Sequence, residues 1–206
     1  MISQYSKYRT GWGTGWAMFS DDMKMRYRLA RCFKPGPGAA IDTFRTHNID
    51  NEDGQLNIAY RDMTRIVFLM LNPSTADAFK LDPTVNECRK RSIALGADML
   101  EVVNLFALRS PYPTDLRKAA RGSRGDDTVN DQAIINACLD ARMVIAAWGN
   151  GGDLDNREAH VLKLLREHDI KLHHRGRTNG GAPKHPLARG RHRIPADLQP
   201  IPWETT

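Results

Sequence analysis

The apolar positions of the chain form several short runs that are typical of strands buried on both faces of a sheet. These runs span residues 66–71, 99–103 and 143–148, and a shorter one spans residues 170–173. Each of the first three is followed directly by an asparagine or a glycine, as expected where a buried strand leaves a sheet and a loop begins. Residues 25–31 alternate instead between polar and larger side chains, which predicts a strand with one exposed face.

Helical patterns lie between the predicted strands. Asp82 followed by Pro83 predicts an N-cap and the first residue of a helix that continues to about residue 95. Residues 126–139 and 157–168 predict two more helices, each with one apolar face. The apolar faces consist of Val129, Ala133, Ile134, Ala137 and Cys138, and of Ala159, Val161, Leu162, Leu164 and Leu165. The alternation of strands and helices predicts an α/β fold with three α/β/α layers around a mainly parallel sheet.

A length of 206 residues fits one domain, because a single core of this size buries enough apolar surface to be stable. We therefore predict one domain over residues 1–206, with an N-terminal extension over about residues 1–60. The chain does not begin with the apolar run of a signal peptide, and no stretch reaches the roughly 18 apolar residues of a transmembrane helix. The expected protein is soluble, cytoplasmic, independent of membranes and monomeric.

The distribution of charge favours a polyanionic partner. The formal net charge is +6, and seven cations but no carboxylates lie between residues 171 and 193. They are Lys171, Arg175, Arg177, Lys184, Arg189, Arg191 and Arg193. Nucleic acid is the partner that such a cluster suggests, although a solvated basic loop would have the same composition.

The cysteines do not have the spacing of a metal site. Cys32, Cys88 and Cys138 are about fifty residues apart, whereas zinc and iron–sulfur sites usually take four ligands that include close pairs. We expect reduced thiols, and we predict neither a metal nor an organic cofactor.

Four short motifs follow one another along the chain, three of them at the ends of predicted strands. They are Leu71-Asn72-Pro73-Ser74, Val103-Asn104-Leu105-Phe106, Ala147-Trp148-Gly149 and Lys184-His185-Pro186-Leu187. Their order and spacing resemble the uracil-DNA glycosylase superfamily, in which strands end in Asp-Pro or Asn-Pro, in Asn and in Trp-Gly, and a late loop begins with His-Pro. More closely, residues 64–193 resemble a bacterial and phage domain-of-unknown-function family marked by LNPSTAD, DPTV, NLFALR, WG and HPL. The chain departs from the mismatch-specific glycosylases at Leu71 and Ser74, where those enzymes usually have glycine, and from the superfamily at Leu187, where serine is common.

The resemblance implies a uracil-DNA glycosylase-like fold and a pocket that hydrolyses the N-glycosidic bond of uracil or a modified pyrimidine in DNA. Asn72 would orient the attacking water through its side-chain carbonyl, and His185 would donate a hydrogen bond to the base oxygen that gains negative charge. Asp82, or the nearby Asp77, is a candidate for the general base that accepts a proton from the water, because an amide cannot do so. Asn72 could instead close its turn, and the simplest role of Asp82 is to cap its helix.

The same resemblance also implies which residues recognise the base. Asn104 would read the pairing edge of a flipped base, because one amide can both donate and accept. Ser74, Phe79 and Phe106 are further candidates for contact with the base. Trp148 is expected in the core or at the floor of the pocket.

The late loop is predicted to bind DNA. Leu187 would be an apolar wedge that fills the gap left by a flipped base, while Lys184, Arg189 and Arg191 would contact phosphates. Two other functions remain open at this point: processing of a hypermodified base or a nucleotide, and binding of a modified base without cleavage.

Overall fold

The computed structural model describes residues 1–7, 14–33, 63–77, 80–125 and 127–204. Within these ranges the chain has an α/β fold, as predicted, with a mixed sheet and four α-helices. The strands are β1 (Ile2–Lys7), β2 (Thr14–Phe19), β3 (Arg26–Cys32), β4 (Arg65–Met70), β5 (Met99–Asn104), β6 (Met143–Ala146), β7 (Leu172–His174) and β8 (Ile201–Pro202). The helices are α1 (Pro83–Ala94), α2 (Pro113–Lys118), α3 (Thr128–Cys138) and α4 (Arg157–Glu167).

The order and direction of the strands bring several loops to one side of the sheet. The order is β1-β2-β3-β5-β4-β6-β7-β8. The central strands β5, β4, β6 and β7 run parallel, whereas the neighbours at both edges pair antiparallel. The sheet is therefore mixed rather than mainly parallel, because the N-terminal residues add antiparallel strands beside β5. The loops after the parallel strands meet at one edge, which is where α/β proteins usually bind ligands.

The segments with the clearest sequence patterns form the predicted elements. All six positions of β4 are buried. Helix α1 begins at Pro83, and the preceding Asp82 carboxylate accepts a hydrogen bond from Val85 N at 2.8 Å. Gly96 follows the helix with a φ of +76°, in the left-handed region that favours glycine. The strand, the N-cap and the end of the helix are thus confirmed.

Strand β3 is more buried than its alternating pattern predicts. All seven of its residues are buried, so neither face is in water. Its polar side chains find partners inside the protein; for example, Arg28 Nε donates to Glu101 Oε1 on β5 at 2.5 Å. A buried charge is tolerated where an opposite charge replaces water, and this pairing cannot be read from one strand alone. Residues 8–13 and 34–60 of the predicted N-terminal extension lie outside the described residues.

Two positions on the predicted apolar faces of the helices are exposed instead of buried. They are Val129, which is 41% exposed, and Ala159. Asn130 and Arg157 are buried in their place, and their Nδ2 and Nε atoms donate to the Leu105 carbonyl oxygen at 3.0 and 2.7 Å. Polar residues take these positions because the end of β5 leaves backbone carbonyls that need hydrogen-bond donors.

Apolar side chains of the central strands point alternately into two hydrophobic clusters. One cluster joins Phe68 of β4 to Val85 of α1. The other joins Leu69 of β4 to Ile134 of α3 and Val161 of α4. This packing fixes the central strands, so the loops that follow them start from defined positions. In the described part of the chain, none of the helices combines the length and the apolar character needed to cross a bilayer.

Candidate functional site

A cavity of about 410 Å³ opens at the edge of the sheet where β4, β5 and β6 end. Its walls come from the loops after these strands, the start of α1 and the late loop that contains His185. Asn72, Asn104, Asp82 and His185 all line it, so the structure brings together four residues that are far apart in the sequence. The size falls within the range of small-molecule sites.

Asn104 places an amide without a hydrogen-bond partner in this cavity. It is the last residue of β5, pairs with Met70 of β4 and is 1% exposed. Its backbone oxygen accepts a hydrogen bond from Asn130 Nδ2 at 3.1 Å, but among the described residues neither its Nδ2 nor its Oδ1 has a partner. Buried polar groups are nearly always hydrogen-bonded, so an amide left open in a cavity is available to pair with a group that enters it.

The orientation of the Asn72 side chain is fixed by the neighbouring loop. Its Nδ2 donates to Ser110 O at 2.9 Å and lies 3.4 Å from Leu108 O. The amide therefore closes a turn, as one interpretation of the sequence has it. Because the nitrogen is held by carbonyls, the side-chain oxygen is the atom left for other partners, and it accepts no hydrogen bond within the described ranges.

The hydrogen bonds of His185 specify its tautomer. Nδ1 accepts a hydrogen bond from Leu187 N at 3.1 Å, so in the neutral imidazole the proton is on Nε2 and this nitrogen is a donor. Burial lowers the pKa of His185 below its usual value, while the charge of Asp82 acts in the opposite direction. The ring is therefore neutral at neutral pH, and it offers one N–H to the cavity that it lines.

Gly149 brings the histidine loop close to β6. Its φ is +69°, and a Cβ at this position would lie 3.5 Å from the Cβ of His185. Its backbone N–H donates to Pro183 O at 2.9 Å. Glycine fits here because the turn needs a left-handed conformation. The adjacent Trp148 lines the cavity and packs against Trp203 with 5.5 Å between ring centroids, as expected for a residue at the pocket floor.

Asp82 combines a structural position with access to the cavity. Its Oδ1 caps α1 through Val85 N, and the residue also lines the cavity. The second carboxylate oxygen forms no hydrogen bond in the described part of the chain. Ser74 lines the same cavity, whereas Asp77 does not; Asp77 Oδ1 accepts a hydrogen bond from Lys80 N at 2.9 Å.

Phe106, one of the two phenylalanines predicted to contact the base, does not line the cavity. Phe106 is fully buried in the hydrophobic cluster that contains Ile134 and Val161, because the chain turns after Asn104 and directs this side chain into the core. The expectation for Phe106 is corrected accordingly. Phe79 lies outside the described residues.

The predicted DNA-binding residues surround the histidine loop without lining the cavity. Leu187 and Lys184 are half-buried, and Lys184 N donates to Gly176 O at 2.9 Å. Arg189 and Arg191 are exposed. Arg189 and Arg191 are therefore accessible to solvent.

Two other cations of the basic segment have structural contacts. The buried Arg175 donates through Nε to Leu198 O at 2.9 Å, and the Arg177 guanidinium lies 4.0 Å from the ring centroid of Trp203. They attach the C-terminal residues to the sheet. The basic segment therefore contains both the buried Arg175 and exposed arginines, and of the exposed ones Arg177 packs on Trp203, which charge counting alone did not reveal.

Arg26 and Ser110 line the cavity but were not predicted as site residues. Arg26 is at the start of β3 and is 2% exposed, and its Nη1 donates to Ala76 O at 2.8 Å. The Ser110 hydroxyl contacts a carboxylate oxygen of Asp115. Neither residue belongs to one of the four motifs. Arg26 lies in a segment whose pattern of polar and apolar residues is weak, and Ser110 comes several residues after the Asn-Leu-Phe motif.

Comparison with known proteins gives one family match. The model of the family described as "Protein of unknown function (DUF1643)" matches residues 57–187, which include all four motifs at the cavity. Neither a curated protein nor a solved structure matches the chain. The matched segment is well over half of the chain, and the protein therefore belongs to the DUF1643 family.

Proposed function

We propose that the protein is a DNA glycosylase-like hydrolase of the uracil-DNA glycosylase type, acting on uracil or a modified pyrimidine. The observation that carries the proposal is the unpartnered, buried amide of Asn104 inside the cavity. A pyrimidine offers a carbonyl oxygen and a ring N–H side by side, and one amide satisfies both. Hydrophobic clusters on the two faces of the sheet agree with the layered fold that this assignment requires.

The proposed reaction needs a hydrogen bond to the departing base. His185 supplies it through Nε2–H, because its Nδ1 is already occupied by Leu187 N. A neutral donor suffices for this role, and a donor held in a partly dry cavity stabilises developing negative charge more strongly than water does. The direction of the His185 pKa, lowered by burial, keeps the ring in this neutral form.

The attacking water needs an orienting group and a proton acceptor. The free Oδ1 of Asn72 provides orientation, since its Nδ2 is anchored to Ser110 O. An amide does not take up a proton at neutral pH, so we assign that role to Asp82, the only carboxylate among the described cavity-lining residues. Asp82 has one oxygen committed to the cap of α1 and one left for water.

DNA is the proposed partner, with the target base flipped out of the helix. Arg189 and Arg191 are exposed beside the histidine loop, and Lys184 and Leu187 are partly exposed in it. This arrangement fits cations that contact phosphates around an apolar side chain that replaces the flipped base.

A second candidate function is binding of a modified base without cleavage. The position that would hold the water carries an amide, Asn72, whose nitrogen is already used within the protein. A site of this kind binds a nucleobase as well as a hydrolase does, but it has no strong proton acceptor next to the water. The role of Asp82 is therefore the difference between the two candidates.

The test is an excision assay on oligonucleotides that contain uracil or one of a panel of modified pyrimidines. Formation of abasic sites, together with mass spectrometry of the released base, separates a hydrolase from a binding protein. We expect Asn72→Ala and His185→Ala to lower turnover about 100-fold with little change in DNA affinity. Asn104→Asp should change which base is accepted, because a carboxylate lacks the amide donor.

His192→Ala is the matched control for the histidine substitution. His192 belongs to the 3₁₀ turn Gly190–His192 in the same basic segment, but it does not line the cavity. Equal losses in His185→Ala and His192→Ala would refute the assigned role of His185. Binding of a modified base with no abasic product from any substrate would favour the second candidate.

A further inference from the structure

Arg26 carries a positive charge into the cavity from a strand that has no part in the proposed reaction. The residue lines the cavity, and its side chain is almost completely buried. Its Nη1 donates to Ala76 O, whereas its buried Nε has no hydrogen-bond partner among the described residues. Nη2, which lies on the same edge of the guanidinium as Nε, has no recorded partner in that part of the chain either.

Other buried arginines of the fold are paired with carboxylates or, like Arg175, donate to several backbone carbonyl oxygens. Arg28 contacts Glu101 at 2.5 Å, and Arg157 Nη1 lies 2.6 Å from Asp131 Oδ1. Within the described ranges Arg26 has no such ion pair, although an unpaired buried charge is strongly destabilising. The contrast indicates that the partner of Arg26 is a group that enters the cavity.

The surroundings of Arg26 keep it charged and do not exclude an anion. Burial lowers its pKa to about 9; the charges of Asp82 and Asp77 oppose this decrease, and those of Arg109 and Arg31 add to it. The guanidinium therefore remains protonated at neutral pH. Three guanidinium groups and two carboxylates therefore act in the same small region, so the carboxylates do not outweigh the cations at this end of the cavity.

We propose that Arg26 forms an anion-binding subsite of the cavity, and that the ligand is a nucleobase compound with an acid group. The Nε and Nη2 edge of a guanidinium binds two oxygens of one carboxylate or phosphate. The acid group is either a carboxylate on the base or the phosphate of a nucleotide. This inference rests on the proposed function, since Asn104 binds the base while Arg26 binds the acid group.

Calorimetric titration with two matched pairs of compounds tests the subsite and identifies its source. One pair is uracil and 5-carboxyuracil, and the other is deoxyuridine and its 5′-monophosphate. We expect the acid member of one pair to bind at least about 10-fold more tightly than its neutral member, the usual gain from a charge-assisted hydrogen bond. The pair that shows the difference identifies the acid group as a carboxylate on the base or as a phosphate.

Substitutions then assign the difference to Arg26. Arg26→Gln should abolish the preference for the acid member and leave the neutral member within about 2-fold, while Arg26→Lys should retain part of it. Arg109→Gln is the matched control: its charge acts on Arg26, but Arg109 does not line the cavity, and its guanidinium lies over Phe19. This variant should keep the preference.

The possible failures are distinguishable. Equal affinities within both pairs, with uracil still bound, would overturn the subsite and leave the proposed function in place. A preference that persists in Arg26→Gln would also overturn it. Absence of binding by all four compounds would overturn both proposals. If Arg26→Gln does not fold, the wild-type comparison and Arg26→Lys still decide the question.

Discussion

Replacement of Asn104 by leucine should stabilise the protein while abolishing its binding of a base. The side chain of Asn104 is buried, and in the described part of the chain its amide has no partner, so it adds an unfavourable term to the free energy of folding. Leucine has a similar shape and no polar atoms. The backbone oxygen of residue 104 keeps its hydrogen bond from Asn130 in the variant.

The size of the effect follows from the environment of the amide. A buried polar group without a partner costs about 1–3 kcal/mol, and water that enters the cavity reduces this penalty. We take the lower end, about 1 kcal/mol, for Asn104→Leu. In a chain of 206 residues this raises the melting temperature by about 2–4 °C.

Asn130→Leu is the matched control, because it makes the same substitution at another fully buried asparagine. Asn130 Nδ2 donates to the carbonyl oxygens of Asn104 and Leu105 at 3.1 and 3.0 Å. The loss of both hydrogen bonds should cost about 2–3 kcal/mol and lower the melting temperature by about 4–12 °C. The two substitutions thus have opposite predicted signs.

Calorimetric melting of the wild type and both variants, with and without uracil, measures these effects. We expect uracil to raise the melting temperature of the wild type and to leave that of Asn104→Leu unchanged. A decrease in the melting temperature of Asn104→Leu comparable to that of Asn130→Leu would refute the argument. It would show that the Asn104 amide supports the fold and is not held open for a ligand.

Three further predictions concern the loops around the cavity. Since burial lowers the pKa of His185 and protonation of Nδ1 removes the acceptor of the Leu187 N–H that orients the ring, kcat/KM should decrease in acid with a midpoint below pH 6.5; an acid midpoint above 6.5 would contradict this. Asn72→Asp should lower the melting temperature more at pH 8 than at pH 4, because repulsion by the Ser110 carbonyl oxygen raises the pKa of the new carboxyl group, which can donate to that oxygen only when protonated; equal decreases would be evidence against that contact. Lys184→Ala, Arg189→Ala and Arg191→Ala should each reduce the slope of log affinity for DNA against log salt by about one, whereas an unchanged slope would remove that residue from the interface.

The part of the fold after residue 64 could be predicted because its signals are local. A continuous apolar run such as β4 allows little besides a buried strand, and Asp82 with Pro83 has a cap geometry that the structure reproduces. The convergence of Asn72 and Asn104 follows from the parallel direction of β4 and β5, since both residues lie where these strands end. Local pattern and topology together were therefore sufficient to bring these two residues into one cavity.

The remainder depends on tertiary contacts that a single segment does not reveal. The arginines of β3 look like surface residues in the sequence, and they are buried because partners on other elements receive their hydrogen bonds. Phe106 has an aromatic side chain of the kind that stacks on bases, but the turn after Asn104 directs this side chain into the core. Val129 is apolar and yet exposed, since the sheet-facing position belongs to Asn130.

The position of β3 also separates two tasks of the cavity. Asn104 and His185 lie within the residues that the family model matches, whereas Arg26 lies before them and reaches the cavity only because β3 pairs antiparallel with β5. In a site assembled in this way, substitutions in β3 can change the charge of the cavity while the residues that bind the base stay the same. If the proposed function holds, the loops after the parallel strands recognise the base, and Arg26 of β3 selects among bases or nucleotides by charge.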